Sequence, residues 1–167
     1  ASTVDQMPHM VANLALFGHS GLWGVPDIDR TETMSILGGN PMASNGSVWT
    51  VPDFRNRAKA LQKRGGQLVV IDPRRTETAK IADRHLFIRP ATDGLLLVAL
   101  LKAVLTHPER PALPDYIDNL DAVAEAVSGF DSGACAAQCG VALPDIEWLA
   151  DRMVTGPAAL YGRIGAA

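Results

Sequence analysis

The sequence has little of what disulfide scaffolds, zinc sites and membrane spans require. It contains two cysteines, Cys135 and Cys139, which indicate no disulfide framework and could supply at most half of a tetrahedral zinc site. Their spacing places them on one face of a helix, where we expect them to act as small apolar residues. The longest apolar stretch, residues 95–105, is interrupted by Lys102 and falls short of the roughly 20 residues that a spanning helix needs.

Signals for export and for bulk electrostatic binding are also missing. The N-terminus has no basic region, apolar core or cleavage site, and it does not begin with methionine. We therefore expect a piece of a longer polypeptide, whose cellular compartment the sequence leaves open. The net charge is -3 with both signs interspersed, so we expect no general attraction to nucleic acid and no membrane contact.

The common catalytic and nucleotide-binding motifs are absent as well. There is no Gly-x-Gly-x-x-Gly after a strand and no Gly-x-x-x-x-Gly-Lys-Ser/Thr motif. No cluster of metal ligands and no Ser-His-Asp or Cys-His order stands out, and His85, beside an apolar run, is interpreted as structural. The sequence therefore predicts a binding module with no catalytic residue and no metal ligand of its own.

What is present is the pattern of an α/β domain. With 167 residues and 47% apolar content, residues 1–167 are most economically one domain. Short apolar runs alternate with helical segments, which predicts a doubly wound, mainly parallel, Rossmann-like sheet with helices on both faces. The predicted strands are 34–37, 68–71, 86–88 and 158–161. The predicted helices are 8–17, 76–82, 114–119, 121–128, 131–138 and 144–154. Two more helices are predicted: one is capped by Asp53 and ends near Arg64, and the other is capped by Thr92 or Asp93 and ends near His107.

Each of the first three strands runs into a loop of ligand-type residues. Because the carboxyl ends of parallel strands share one sheet edge, we expect these loops to converge where open α/β folds bind nucleotides. Glycines in the first loop let backbone amides approach an anion, although the same residues make ordinary turns. The loops are Gly38-Gly39-Asn40-Pro41, Asp72-Pro73-Arg74-Arg75-Thr76 and Arg89-Pro90-Ala91-Thr92-Asp93.

The second and third loops carry the more informative side chains. Asp72 could meet ribose hydroxyls, and Arg74 and Arg75 could bind phosphate. The alternative is an N-capped helix whose arginines pair with neighbouring carboxylates. Thr76 and Thr78 offer hydroxyls near the predicted helix start. Asp93 could accept both adjacent N–H donors of a guanine edge, which an adenine edge does not present, or it could only cap a helix.

The motifs together resemble a known family. The segments that carry the resemblance are 38–44, 64–79, Ala82-Asp83 and 88–93, with Val25-Pro26-Asp27 and 161–165 extending it. They are similar to the molybdopterin guanine dinucleotide enzymes of the dimethyl sulfoxide reductase family, which includes formate dehydrogenases and nitrate reductases. One departure is Ala91, where the family often has glycine.

The resemblance implies a domain that binds one molybdopterin guanine dinucleotide around molybdenum or tungsten. The first loop would lie by the pyrophosphate or pterin, through Gly38, Gly39, Asn40 and Ser44. The second loop would line the nucleoside, through Asp72, Pro73, Arg74, Arg75 and Thr76. The third loop would hold the guanine, through Ala91, Thr92 and Asp93. The family's [4Fe-4S] cysteines and metal ligand cannot be placed here, so the fragment is expected to be catalytically silent. Its implied partners are the remaining domains of the parent enzyme and electron-transfer subunits.

Two alternatives stay open at this stage. The parent could keep the fold only as a scaffold, as in the related large iron-sulfur subunit of respiratory complex I. The ligand-type residues at three strand ends argue against this. An ordinary NAD-binding dehydrogenase domain is weakened by the missing glycine fingerprint. Substrate and oligomeric state cannot be read from the sequence.

Overall fold

The structure, a computed structural model, describes residues 6–163 and contains one parallel four-stranded sheet. The strands are β1 (Thr33–Leu37), β2 (Gln67–Ile71), β3 (Arg84–Leu86) and β4 (Ala158–Gly162). The helices are α1 (Met7–Phe17), α2 (Pro41–Ser44), α3 (Phe54–Lys63), α4 (Asp93–Leu105), α5 (Leu120–Ser128), α6 (Ser132–Cys139) and α7 (Leu143–Thr155), with a 3-10 helix at Ser47–Trp49.

The sheet has the order β3-β2-β1-β4, and every neighbouring pair is parallel. β1 is buried along its whole length and β2 over its last four residues, which explains their continuous apolar runs. One core cluster packs α3 against the sheet through Ala58 and Leu61, and the other packs α4, α6 and α7 against its opposite face. The predicted doubly wound α/β fold is therefore confirmed.

Cys135 and Cys139 lie in the second cluster. Both are buried free thiols on α6, at 4% and 0% exposure. They fill core volume between α6 and its neighbours, as the sequence predicted.

The helix predicted over 76–82 is wrong, because the structure has only turns there. The Thr76 hydroxyl accepts from the Ala79 amide at 3.1 Å, and the Thr78 amide donates to Asn40 Oδ1 at 3.2 Å. A partner far away in sequence thus fixes the backbone of this segment in a turn. The predicted helix start beside Thr76 and Thr78 does not exist.

Smaller corrections concern boundaries and caps. The third strand ends at Leu86 rather than Ile88, because its pairing with β2 stops where β2 stops. No helix forms at 114–119. Asp53 precedes α3 with φ of 51°, and its carboxylate accepts from the Asn56 side chain instead of capping the backbone. Thr92 occupies the N-cap position of α4, but its hydroxyl donates to the Arg89 carbonyl at 2.6 Å.

Candidate functional site

The strand order places a topological switch point between β1 and β4. The chain passes from β1 outward through β2 to β3, and then returns to the other side of β1 to form β4. Ligands of open α/β sheets bind outside the carboxyl ends of the strands at such a point. The Arg163 amide donates to the Leu37 carbonyl at 2.9 Å, so the first loop and the chain after β4 lie side by side.

The first loop leaves β1 through two tightly placed glycines. Gly38 has φ of 62°, a left-handed value that costs glycine nothing. A Cβ on Gly39 would lie 2.9 Å from Ile36 Cγ2 and 3.6 Å from Arg163 Cγ, so a side chain there would need its neighbours to move. Gly39 is buried and Gly38 is half-buried, so the missing side chain of Gly39 makes room for Ile36 and Arg163. Ser44, farther along, is exposed and donates to the Asn40 carbonyl.

Asn40 joins the first loop to the second. Its Oδ1 accepts from the Thr78 hydroxyl at 2.7 Å, and its Nδ2 donates to Glu77 Oε2 at 2.7 Å. The same Thr78 oxygen accepts from the Met42 amide at 3.1 Å. The Asn40 bond also lowers the pKa of Glu77 below its usual value. The Asn40 side chain therefore positions the two loops, and both of its polar atoms already have protein partners.

The second loop divides into a buried base and an exposed tip. Asp72 is 8% exposed, and its Oδ1 accepts from the Arg74 amide at 2.8 Å, which closes a tight turn. Pro73, Arg74 and Arg75 lie exposed on the tip. Within residues 6–163, neither guanidinium group has a hydrogen-bond or ion-pair partner. No ion pair of the kind that the alternative required forms in this range, although the charge of Arg74 adds to the Asn40 bond in lowering the pKa of Glu77.

The third loop presents a buried carboxylate at the start of α4. Ala91 has φ of 63°, and Asp93 is 5% exposed, with no hydrogen-bond partner for Oδ1 among the described residues. Burial raises the pKa of Asp93 above its usual value, and the charge of Asp72 raises it further. That repulsion means that the second and third loops bring their carboxylates near each other. Among residues 6–163, no hydrogen bond joins the first loop directly to the third.

His85 lies beneath the second loop. Its Nε2 donates to the Asp72 carbonyl at 2.9 Å, and its ring lies 3.9 Å from that of Phe87 between centroids. This is the structural role that the sequence indicated.

Two residues near the site were not selected from the sequence. Glu77 looked like a surface carboxylate, and nothing local indicated that it would bind Asn40. Arg163 is 7% exposed beside Gly39, and its position after a predicted strand, within the segment 161–165 that extends the resemblance, was the available signal.

Comparison with known proteins finds homologues of the chain. No protein-family model matches the chain. The chain is 27% identical to a nitrate reductase of Klebsiella oxytoca, and the match covers 96% of this chain and 18% of the relative. It is 32% identical to an assimilatory nitrate reductase of Haloferax mediterranei, and that match covers 83% of this chain and 18% of the relative. The alpha subunit of an F420-dependent formate dehydrogenase of Methanocaldococcus jannaschii is 25% identical over 84% and 21%. These homologues are molybdopterin oxidoreductases.

The molybdopterin oxidoreductases are much longer than this chain, which spans about a fifth of the length of the relatives it matches. Acetylene hydratase from Pelobacter acetylenicus shares the fold, with a TM-score of 0.72, 23% identity and coverage of 87% of this chain and 20% of that one. Some relatives are named as subunits, including one from a sulfite dehydrogenase of Allochromatium vinosum. Within residues 6–163, no helix combines the length and the apolar character needed to cross a bilayer.

Proposed function

We propose that this chain is a cofactor-binding domain of a longer molybdopterin oxidoreductase and holds one molybdopterin guanine dinucleotide. The observation that carries the proposal is Asp93, a buried carboxylate with an unpartnered oxygen at the carboxyl edge of a parallel sheet. A buried polar atom without a partner is costly, so a ligand that supplies donors best explains the unpartnered Oδ1. Guanine has two adjacent N–H groups that a carboxylate can accept together.

The other two loops fit the rest of such a ligand. The exposed guanidinium groups of Arg74 and Arg75 suit the pyrophosphate, since arginine pairs with phosphate oxygens in a forked geometry. Gly38, half-buried and at positive φ, would lie with Gly39 by the pyrophosphate or the pterin, with Ser44 nearby. Asp72, Pro73 and Thr76 would line the nucleoside, and Ala91 and Thr92 the guanine beside Asp93. The bound group would supply redox chemistry at molybdenum or tungsten, with a [4Fe-4S] centre elsewhere in the parent.

In this role the chain binds and orients the cofactor and contributes no catalytic residue. The remaining domains of the parent would complete the metal site, and electron-transfer subunits would carry electrons onward. The proposal assigns residues 1–167 to one domain of that polypeptide. It assigns no substrate, because no described residue is tied to the metal.

The proposal is tested by calorimetry with GDP and ADP on the 167-residue chain. A good two-bond pair discriminates between bases by about 1–3 kcal/mol, so we expect a guanine preference of roughly 5- to 150-fold. Asp93→Asn should abolish the preference, because the amide replaces one acceptor by a donor. Asp115→Asn, at an exposed position of no assigned role, is the matched control and should keep it.

The pH dependence gives an independent check of the same residue. Only the ionised carboxylate accepts both guanine donors, so GDP affinity should fall as the pH drops through the raised pKa of Asp93. Equal affinities for GDP and ADP in a folded sample would refute the role of Asp93. A full-length parent that purifies without pterin and metal would favour the scaffold alternative, and tight NADH binding would favour a dehydrogenase domain.

A further inference from the structure

A polar pocket lies at the amino edge of the sheet, opposite the three loops of the candidate site. It has a volume of about 260 Å³ and is lined by Gly65, Gln67, Arg84, Trp148 and Arg152. Gln67 and Arg84 are the first residues of β2 and β3, whereas Trp148 and Arg152 belong to α7. We call these five residues the arginine pocket.

The register of the sheet and the period of the helix bring these side chains together. Arg84 pairs with Val69, and Gln67 lies two residues before Val69, so all three side chains lie on one face of the sheet. Val69 belongs to the core cluster that contains α7, so that face is the one that α7 covers. Trp148 and Arg152 are four residues apart and therefore project from the same side of α7.

Both arginines of the pocket are held by contacts that leave donors available. The Arg84 guanidinium lies over the Trp148 ring, 3.7 Å from its centroid, and donates to Asp145 Oδ1 at 3.2 Å. Arg152 Nε donates to the Thr33 hydroxyl at 3.3 Å. Among residues 6–163, the two terminal nitrogens of Arg152 have no hydrogen-bond or ion-pair partner. The Arg152 side chain is therefore positioned through Nε, and its terminal donors stay available to a ligand.

The chemistry of the lining favours an anion. None of the five lining residues carries a carboxylate, and Asp145 offsets only one of the two positive charges. Each guanidinium group has five N–H donors and no acceptor, and the Trp148 indole adds one donor. The two oxygens of a carboxylate fill one guanidinium fork, whereas a tetrahedral oxyanion has enough oxygens to accept from two forks.

We propose that the arginine pocket binds a small tetrahedral oxyanion of the phosphate class, held between the Arg84 and Arg152 guanidinium groups. The pocket lies at the amino ends of the strands, whereas the loops of the proposed cofactor site lie at their carboxyl ends. The proposal therefore does not depend on Asp93 or on guanine recognition.

Titration with inorganic phosphate, followed by NMR of the tryptophan indole N–H groups, tests the proposal on the 167-residue chain. The sequence has three tryptophans, and Trp148→Phe assigns the signal of the pocket. At constant ionic strength, phosphate should shift the Trp148 signal until it saturates, and acetate should shift it far less. Trp49, which is 6% exposed and packs on the other face of the sheet, should not respond. No saturable shift with phosphate, or an equal shift with acetate, would overturn the proposal.

A phosphate ester identifies the source of the oxyanion. Glycerol 3-phosphate should shift the Trp148 signal if the pocket admits the phosphate group of a larger molecule. A response to inorganic phosphate alone would assign the pocket to the free ion.

Variants of Arg152 separate recognition from folding. Arg152→Gln should weaken phosphate binding by roughly tenfold or more, because the charge and the guanidinium fork are both lost. Arg152→Lys keeps the charge without the fork, so its phosphate affinity should lie between those of Arg152→Gln and the unmodified chain. Arg55→Gln, at an exposed position on α3, is the matched control and should bind phosphate as the unmodified chain does. An unchanged Trp49 signal shows that each variant is folded. Equal phosphate affinity in Arg152→Gln and the unmodified chain would contradict the site.

These outcomes are independent of the guanine test. Equal affinities for GDP and ADP, with the phosphate response of Trp148 intact, would refute only the cofactor role of Asp93. A guanine preference without that response would refute only the arginine pocket.

Discussion

Replacing Thr78 by valine tests whether the first two loops are locked together. The Thr78 side chain is fully buried, and its hydroxyl donates to Asn40 Oδ1 at 2.7 Å and accepts from the Met42 amide at 3.1 Å. Valine has nearly the same shape but no hydroxyl, so both bonds disappear without a large change in volume. Asn40 keeps its hydrogen bond from the Thr78 amide at 3.2 Å, so the link between the two loops is weakened rather than removed.

The expected cost follows from those two bonds. A hydrogen bond contributes about 0.5–1.5 kcal/mol net, and a donor left without a partner in a buried place adds to the loss. We therefore expect Thr78→Val to lower the free energy of unfolding by about 2 kcal/mol. For a chain of this length that corresponds to a decrease in Tm of roughly 4–8 °C.

Urea unfolding at constant m-value measures this change. Thr106→Val is the matched control, because the Thr106 hydroxyl is exposed and bonds the Lys102 carbonyl of its own helix at 2.9 Å. We expect the control to change stability by less than about 0.5 kcal/mol. GDP affinity should also fall in Thr78→Val, since the loops lose their fixed spacing. If Thr78→Val unfolds at the same urea concentration as the unmodified chain, the two hydrogen bonds of the Thr78 hydroxyl contribute nothing to stability.

Two further predictions concern the third loop. Ala91→Gly should stabilise the chain by about 0.5–1 kcal/mol in urea unfolding, because relief of the left-handed conformation, roughly 1–2 kcal/mol, exceeds the added freedom of glycine in the unfolded chain. Destabilisation would mean that Ala91 is not held at positive φ. Asp93→Asn should gain stability relative to the unmodified chain as the pH rises. The pKa of Asp93 is raised in the folded chain, so ionisation of Asp93 opposes folding once the pH exceeds its ordinary pKa. Parallel stability curves of the two proteins from pH 3 to 8 would contradict the burial of that charge.

Much of the fold could be predicted because its signals are local. The run at 68–71 predicted β2 to within one residue, and the segment predicted at 8–17 became α1. The helix expected at 76–82 is replaced by turns, and the Thr78 amide and hydroxyl bond Asn40 across 38 positions of sequence. No local pattern around Thr76 contains that information.

The candidate site was predicted in outline and rearranged in detail. Ligand-type residues do follow the strand ends, and the parallel sheet places those ends on one edge. Asn40 was expected to face a ligand, and its side chain instead joins two loops. The unpartnered oxygen of Asp93 could not be inferred, because it depends on which donors the folded chain leaves out of reach.

The sequence by itself determined the α/β class, the strand-end loops and the likeness to molybdopterin oxidoreductases, since these follow from residue order and hydrophobic pattern. Only the tertiary structure decided the switch point between β1 and β4, the hydrogen bonds between Asn40 and Thr78, and the unpartnered oxygen of Asp93. The physical reason is the range of the interactions. Propensity and periodicity act over a few neighbouring residues, whereas His9 and Gly162 meet across 153 positions and only after the sheet has formed.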